Sequence, residues 1–528
     1  MAKTKKHIVM IAAENGALVG GKAGGVADVI RDLPRALAAK GCKVTVVTPS
    51  YGFLHTSNPV LAESEVEFPF CDRPEAAQVF TVRAETPTKG VEHVVIENVW
   101  IRGNPIYTHD EGYRPFASDA SKYAMFCSAV GRLALEPGSP IAGADVIHLH
   151  DWHTGTFLVL RDIHPAFEGL KAIRTVYTIH NLGIQGTRPL EGDESSLAAW
   201  FPELFLDPAT SPRIYGALMD ARYRPTCYTP MMAGILLADV VTTVSPSYAE
   251  EILRPSDYGA GFWGGEGLDA LLRSAAEQGR LHGVLNGIEY PEERKAPRLA
   301  FAKLRDALEK SASAWLETQP DHHGHRQTLA RLESWKGKKV KVVATAVSRM
   351  ADQKVRLYLD RGPDGISGFD RVMERVNEAG GVFVFLGEGA IDFVRPFYWA
   401  MEHHENFVFL ERHDADVADL LYASGHLFLM PSLYEPCGIA QMLAMRDGQP
   451  PVVHATGGLR DTVIDNVNGF AFDGANIAEK VEAFGDAVGR ALAVFAKKKK
   501  AWGEIRTAAT EARHGWDDAA KSYLQDVY

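Results

Sequence analysis

Disulfides are the first thing this chain lacks. Its five cysteines, Cys42, Cys71, Cys127, Cys227 and Cys437, are widely spread and cannot all pair. Without a C-x-x-C spacing they encode no structural zinc site either, and a reducing, cytoplasmic setting is expected. No uninterrupted apolar run approaches the roughly eighteen residues that span a bilayer, so no membrane association is expected. The basic start Met1-Ala-Lys-Thr-Lys-Lys6 is followed by an apolar run, residues 8–13, that ends at Glu14, too short for an export signal. A positive balance is missing too: 56 Lys+Arg against 67 Asp+Glu give a formal charge of −11, which argues against nucleic acid as the main partner. Internal repeats and low-complexity tracts are also absent. What remains is 528 residues at 46% apolar composition, enough for two or three ordinary domains.

Short β-branched runs alternate with longer amphipathic stretches, the pattern of a parallel sheet covered by helices. Buried strands are expected at 7–12, 43–48, 94–99, 146–150, 175–179 and 240–244, then again at 340–347, 381–386, 406–410, 427–431 and 451–454. Two series of strands predict two α/β domains meeting near Gly283: an N-terminal domain 1–283 and a second domain 284–505. The charged, Ala-rich stretch 291–321 is expected to form one or two helices bridging the halves. After the lysine run 497–500, the amphipathic tail through Trp502, Ile505, Trp516, Tyr523 and Tyr528 should dock as helix.

Five segments carry chemistry. Gly20-Gly21-Lys22-Ala23-Gly24-Gly25 follows a strand and opens a helix, so its glycines let backbone N–H groups approach an anion while Lys22 and the helix dipole add positive potential. His148, His150, Asp151 and His153 gather at a strand end, where ligands bind in open α/β sheets. Because His148 and His150 lie on the strand and the other two in the loop, one metal ion collecting all four is awkward. Thr178-Ile-His180-Asn181 ends another strand, a buried structural histidine being the plainer alternative. Arg349 and Lys354, five apart across a turn, can converge on one pyrophosphate, or be two surface cations. Glu435-Pro-Cys437-Gly438, with Thr456-Gly457-Gly458, offers a carboxylate for sugar hydroxyls and backbone donors for phosphate. Asp414-Ala-Asp416 reads as the start of a helix rather than a metal-diphosphate motif.

In this order the motifs resemble those of the bacterial glycogen synthase and plant starch synthase family, the retaining glucosyltransferases of glycosyltransferase family 5. The likeness covers nearly the whole chain: Lys22 to Val26, His150-Asp-Trp152, Thr178-Ile-His-Asn-Leu182, Thr243 to Ile252, Val284-Leu-Asn286-Gly-Ile288, Ser348-Arg-Met350, Glu435-Pro-Cys-Gly438 and Thr456 to Val463. The resemblance implies a GT-B fold, two Rossmann-like α/β/α domains facing across a deep cleft, with a C-terminal helix of about 506–528 packing back on the first domain. It implies transfer of glucose from ADP-glucose to the non-reducing end of an α-1,4-glucan, with no metal or other cofactor. His180, Glu435, Arg349, Lys354 and Asp151 are then the catalytic candidates. Lys22, Gly24, Gly25, Asn286, Gly387, Arg412, Cys437, Gly438, Thr456, Gly457 and Gly458 join Arg349, Lys354 and Glu435 around the donor. Glu14, Asp28, Asp151 and Asn181 face the acceptor.

The chain departs from the family pattern where donor and acceptor specificity is set. Gly387-Glu388-Gly389 stands where Gly-Asp is usual, Glu411-Arg412 where Gly and a base-stacking aromatic are usual, and Met232 where a lysine is usual. A different donor such as UDP-glucose, a small acceptor, or a catalytically silent glucan-binding relative are the alternatives.

Overall fold

The computed structural model describes residues 5–108, 110–112, 114–223, 226–292 and 296–528. The first half builds a nine-stranded sheet from β1 (His7–Ile11), β2 (Lys43–Pro49), β3 (Val60–Phe70), β4 (Arg73–Val82), β5 (Val91–Glu97), β6 (Val146–His150) and β7 (Arg174–Ile179), completed further on. A small sheet of β8 (Arg188–Pro189), β9 (Met219–Asp220) and β10 (Cys227–Tyr228) intervenes before β11 (Val240–Thr243) and β12 (Leu281–Gly283). The large sheet runs β12-β11-β7-β6-β1-β2-β5-β4-β3 and is parallel as far as β5. Its central strands β1 and β6 are buried along their whole length, which is why they read as continuous apolar runs rather than alternating ones.

The second half contributes β13 (Val343–Val347), β14 (Val382–Leu386), β15 (Phe407–Leu410), β16 (Leu427–Met430), β17 (Pro451–His454) and β18 (Phe470–Phe472). They form an all-parallel sheet ordered β15-β14-β13-β16-β17-β18. The order doubles back between β13 and β16, and in the first sheet between β1 and β6. Loops leaving such a pair diverge to opposite faces and open a crevice at the carboxyl ends of the strands, where ligands bind.

All eleven expected strands are present within a few residues of their expected limits. The β3–β4 hairpin is an addition at the sheet edge. Its turn, Cys71 and Asp72, has φ of 53° and 59° at two non-glycine residues, so the usual Asn-Gly turn signal is missing. The stretch 291–321, of which 293–295 lie outside the described residues, is not a bridge. Its helix Phe301–Thr318 buries Leu304, Leu308, Ala312 and Trp315 in the second core, its one apolar stripe packing against the helices His323–Ser334 and Ala415–Ser424. The C-terminal crossing also starts later than 506. The helix Lys499–Glu511 keeps Trp502 and Ile505 in the second core, and it is Trp516, Ala519, Ala520, Tyr523 and Val527 that pack beneath β1, β2 and β6.

The two connections between the halves run side by side: Ile288 N–H donates to His514 O at 2.8 Å, and a Cβ on Gly287 would meet Trp516 N at 2.4 Å. Glycine is required there by contact alone.

Candidate active site

At the first reversal, the loop after β1 is folded over its own anion. The buried Glu14 carboxylate accepts the N–H of Ala23 at 2.9 Å, that of Gly24, and the Tyr107 hydroxyl. A Cβ on Gly24 would stand 3.0 Å from Glu14 Oε1, so the glycine permits the close approach. The loop expected to offer its N–H groups to a phosphate therefore commits those of Ala23 and Gly24 internally, because a buried carboxylate without donors is costly. Gly25 is left with open space around it. Lys22 is largely exposed and held by Asp28 at 2.8 Å, and Asp28 also takes Arg31 at 3.0 Å, so Asp28 anchors cations at the head of the helix Val26–Ala39.

Across the reversal, β6 delivers Asp151 with φ 58° and ψ −179°, a conformation that glycine tolerates and other residues hold only under strain of order 1–3 kcal/mol. Its Oδ1 accepts the backbone N–H of His180 at 2.7 Å and of Asn181 at 3.3 Å, tying the ends of β6 and β7 together. Burial pushes the Asp151 carboxyl up to about 7, against the pull of those two donors. His180 Nε2 lies 2.9 Å from His150 Nδ1, and His150 stacks on His148 with ring centres 4.2 Å apart. His148 contacts the Tyr528 hydroxyl at 2.7 Å and the Thr178 hydroxyl at 2.6 Å. Burial lowers His180 and His148 to about 3 and holds His150 well below its usual range, so all three rings are neutral at physiological pH. Four of their six nitrogens are thus engaged with one another or with hydroxyls, while His150 Nε2 is buried without a partner and His180 Nδ1 has none among the described residues. Among the described residues no group of three or more His, Cys, Asp or Glu is disposed to hold a metal ion.

The second reversal carries a different set. Arg349 follows β13, is exposed, and its guanidinium has no hydrogen bond or ion pair among the described residues. Lys354, on the helix Asp352–Leu359, forms a largely buried ion pair with Glu435, which follows β16. Gly387 lets the end of β14 lie flat on this loop, since a Cβ there would sit 2.3 Å from Ser348 O. Arg412, after β15, lies with its guanidinium carbon 6.0 Å from the Trp315 ring centre, and Trp315 Nε1 donates to Asp414 at 3.1 Å. Asp414 accepts Val417 N–H at 3.0 Å and caps the helix Ala415–Ser424, the helix start expected of Asp414-Ala-Asp416.

The turn at Thr456 corrects an expectation. Gly457 N–H donates to Glu251 Oε1 at 2.9 Å, Thr456 Oγ1 lies 3.3 Å from Glu251 Oε2, and Gly458 N–H donates to Glu435 O at 3.1 Å. These groups are not free phosphate donors, because a carboxylate from the first half already caps the helix. Their glycines serve packing: a Cβ on Gly457 would meet Glu435 O, and one on Gly458 would meet Cys437 O, each at 2.1 Å. Cys437 is a buried thiol pushed up to about 12, and Gly438 turns with φ 77°. Asn286 is buried where the chain leaves the first sheet, its N–H donating to Val244 O at 3.3 Å.

The two reversals face each other. Tyr434, just before Glu435, sets its hydroxyl 2.5 Å from that of Tyr248 and 3.3 Å from Asn181 Oδ1, and Ser245 Oγ donates to Pro436 O at 2.6 Å. Tyr248, Tyr434, Glu251 and Tyr107 were not expected here. A tyrosine reads as core by default, and the signals otherwise are the position of Tyr434 beside Glu435 and that of Tyr248 and Glu251 within the segment Thr243 to Ile252.

A family model described as the starch synthase catalytic domain matches residues 7–274, and one described as glycosyl transferases group 1 matches residues 381–502. A glycogen synthase of Streptococcus sanguinis is 33% identical, covering 98% of this chain and 99% of its own; one of Clostridioides difficile is 31% identical over 96% of each chain. The catalytic domain of starch synthase IV from Arabidopsis thaliana, solved bound to ADP and acarbose, superposes with a TM-score of 0.73 at 25% identity over 99% of both chains. Sucrose-phosphate synthase of Thermosynechococcus elongatus shares the GT-B fold alone, with a TM-score of 0.54 at 16% identity over 99% of this chain and 98% of its own. Two doubly wound sheets with their reversals facing one another, and sequence likeness along nearly the whole length, lead to one conclusion: the chain belongs to the glycogen and starch synthase family of glycosyltransferases.

Proposed function

We propose that this enzyme transfers glucose, with retention, from ADP-glucose to the non-reducing end of an α-1,4-glucan in the cytoplasm. One observation carries the reading. At the second reversal an unpaired guanidinium, Arg349, precedes by five residues the lysine of the Lys354–Glu435 pair in the same strand-to-helix stretch, so the segment that offers cations to a phosphate also reaches a carboxylate for sugar hydroxyls. That the starch synthase IV structure is bound to ADP and acarbose supports the same pairing of nucleotide and glucan.

In this reading Arg349 and Lys354 bind the diphosphate, which gains negative charge as the glucosyl bond breaks, and these fixed cations stabilise it. Lys22, once released from Asp28, reaches the same phosphate, with Gly25 leaving it room. Glu435, with the backbone of Cys437 and Gly438, holds the glucose hydroxyls. Asp151, His180 and Asn286 hold the sugar from the first half, and Asn181 and Glu14 lie on the acceptor side. The acceptor hydroxyl attacks from the face the diphosphate leaves, and a phosphate oxygen takes its proton, so neither a protein nucleophile nor a metal ion is required. Gly387 and Arg412 border the base; an arginine on Trp315 in place of the family's aromatic favours testing a second donor such as UDP-glucose.

The experiment is nucleoside diphosphate release from ADP-glucose, UDP-glucose and GDP-glucose with glycogen, maltose or no acceptor, with and without EDTA. EDTA-insensitive release from ADP-glucose that requires glycogen is expected. A preference for another donor would transfer the reading to that donor, and silence throughout would contradict it.

A further inference from the structure

We infer that His150 is a positioning residue: its Nδ1–H, donated to His180 Nε2, locks His180 in the tautomer that turns an Nδ1–H toward the cleft, where it donates to a hydroxyl of the bound sugar. The inference rests on the proposed reading of the cleft as a glycosyl-transfer site.

A neutral imidazole has one N–H, so the 2.9 Å contact between His150 Nδ1 and His180 Nε2 admits two arrangements. If His180 donated, the proton of His150 would sit on its Nε2. That atom is buried and has no hydrogen-bond partner among the described residues, so the arrangement would bury an orphaned N–H. If His150 donates, the orphan is only a lone pair, and the proton of His180 is placed on Nδ1. His148 cannot supply the missing partner, because its two nitrogens are engaged by the Tyr528 and Thr178 hydroxyls, while its ring stacks on His150 and fixes the plane. The backbone N–H of His180 is held independently by Asp151 at 2.7 Å. The ring is partly uncovered, and its Nδ1 has no partner among the described residues. An uncharged donor suits a hydroxyl beside a carbon that becomes positive in the transition state.

The test compares His150→Leu, which removes the donor, with His150→Asn, whose amide N–H replaces Nδ1–H. In the full-length chain labelled with ¹⁵N-histidine, the His180 signals, assigned by their loss in His180→Gln, should show an Nδ1–H tautomer. His150→Asn should keep it and His150→Leu should lose it. Turnover should fall by about 10–100-fold in His150→Leu, with the KM for donor changed less than about threefold, and recover to within about fivefold of wild type in His150→Asn. An Nε2–H tautomer in the wild type, or equal losses in the two variants with unchanged melting temperatures, would overturn the inference. If the wild type turned over no donor, the glycosyl-transfer reading would fail while the spectra still decided the tautomer.

Discussion

The two sheet reversals are built alike and charged differently. At the first, each carboxylate or cation has an internal partner: Glu14 is wrapped by its own glycine loop, Lys22 by Asp28, and Asp151 by the N–H groups of β7's end. At the second, Arg349 has none among the described residues, and the Lys354–Glu435 pair is closed only on itself. A site saturated with internal bonds is rigid and holds a neutral ligand by shape. A site with unsatisfied cations gains most from an incoming dianion. On the proposed reading, the difference suits the second reversal to the nucleotide diphosphate and the first to positioning the sugar.

Breaking the second reversal should have the largest effect. Arg349→Ala, Lys354→Ala and Glu435→Ala are each expected to lower kcat/KM by at least about 100-fold. Arg349→Ala should leave the melting temperature unchanged, because its side chain supports nothing in the fold. Near-normal activity in all three would remove the site assignment.

The next effect comes from displacing Glu435 without touching its charge. Gly457 has φ 44° and lies against the Glu435 carbonyl, so Gly457→Ala must push that loop away. A loss of activity of about tenfold or more and of stability of roughly 2 kcal/mol is expected, read by donor release and urea unfolding.

The first reversal should break with acid. His148, His150 and His180 bind protons in the unfolded chain near pH 6.5 but resist them when folded, so stability is complete above that pH and falls as pH drops toward about 3. Asp151 acts in the opposite sense between about 4 and 7, since its folded carboxyl keeps a proton that the unfolded one has lost. Three histidines against one aspartate leave a net loss on acidification. Unfolding free energies that are equal at pH 7 and pH 5 would contradict it.

The smallest effect concerns Lys22. Its exposed ion pair with Asp28 should be worth at most about 1 kcal/mol, so Lys22→Ala is expected to fold and melt like the wild type.

Much of this was legible in the sequence because buried parallel strands read as unbroken apolar runs and their carboxyl ends carry polar clusters. The reversals were not, since strand order depends on long-range pairing that no local pattern reports. The β3–β4 hairpin escaped because Cys71 and Asp72 replace the usual turn residues. Residue types pointed to the site, but not their occupancy. That Glu14 takes the Ala23 and Gly24 N–H groups, and Glu251 that of Gly457, follows from folding a carboxylate onto donors distant in sequence. Tyr248 and Tyr434 meet across the cleft for the same reason, from positions 186 residues apart.

The most direct test of the central contrast is calorimetric titration of ADP into the wild type, Arg349→Ala and Lys22→Ala. The account predicts binding to the wild type, a loss of about 100-fold or more in Arg349→Ala, and a loss of less than about tenfold in Lys22→Ala. A greater loss in Lys22→Ala than in Arg349→Ala would place the diphosphate on the glycine loop and contradict it.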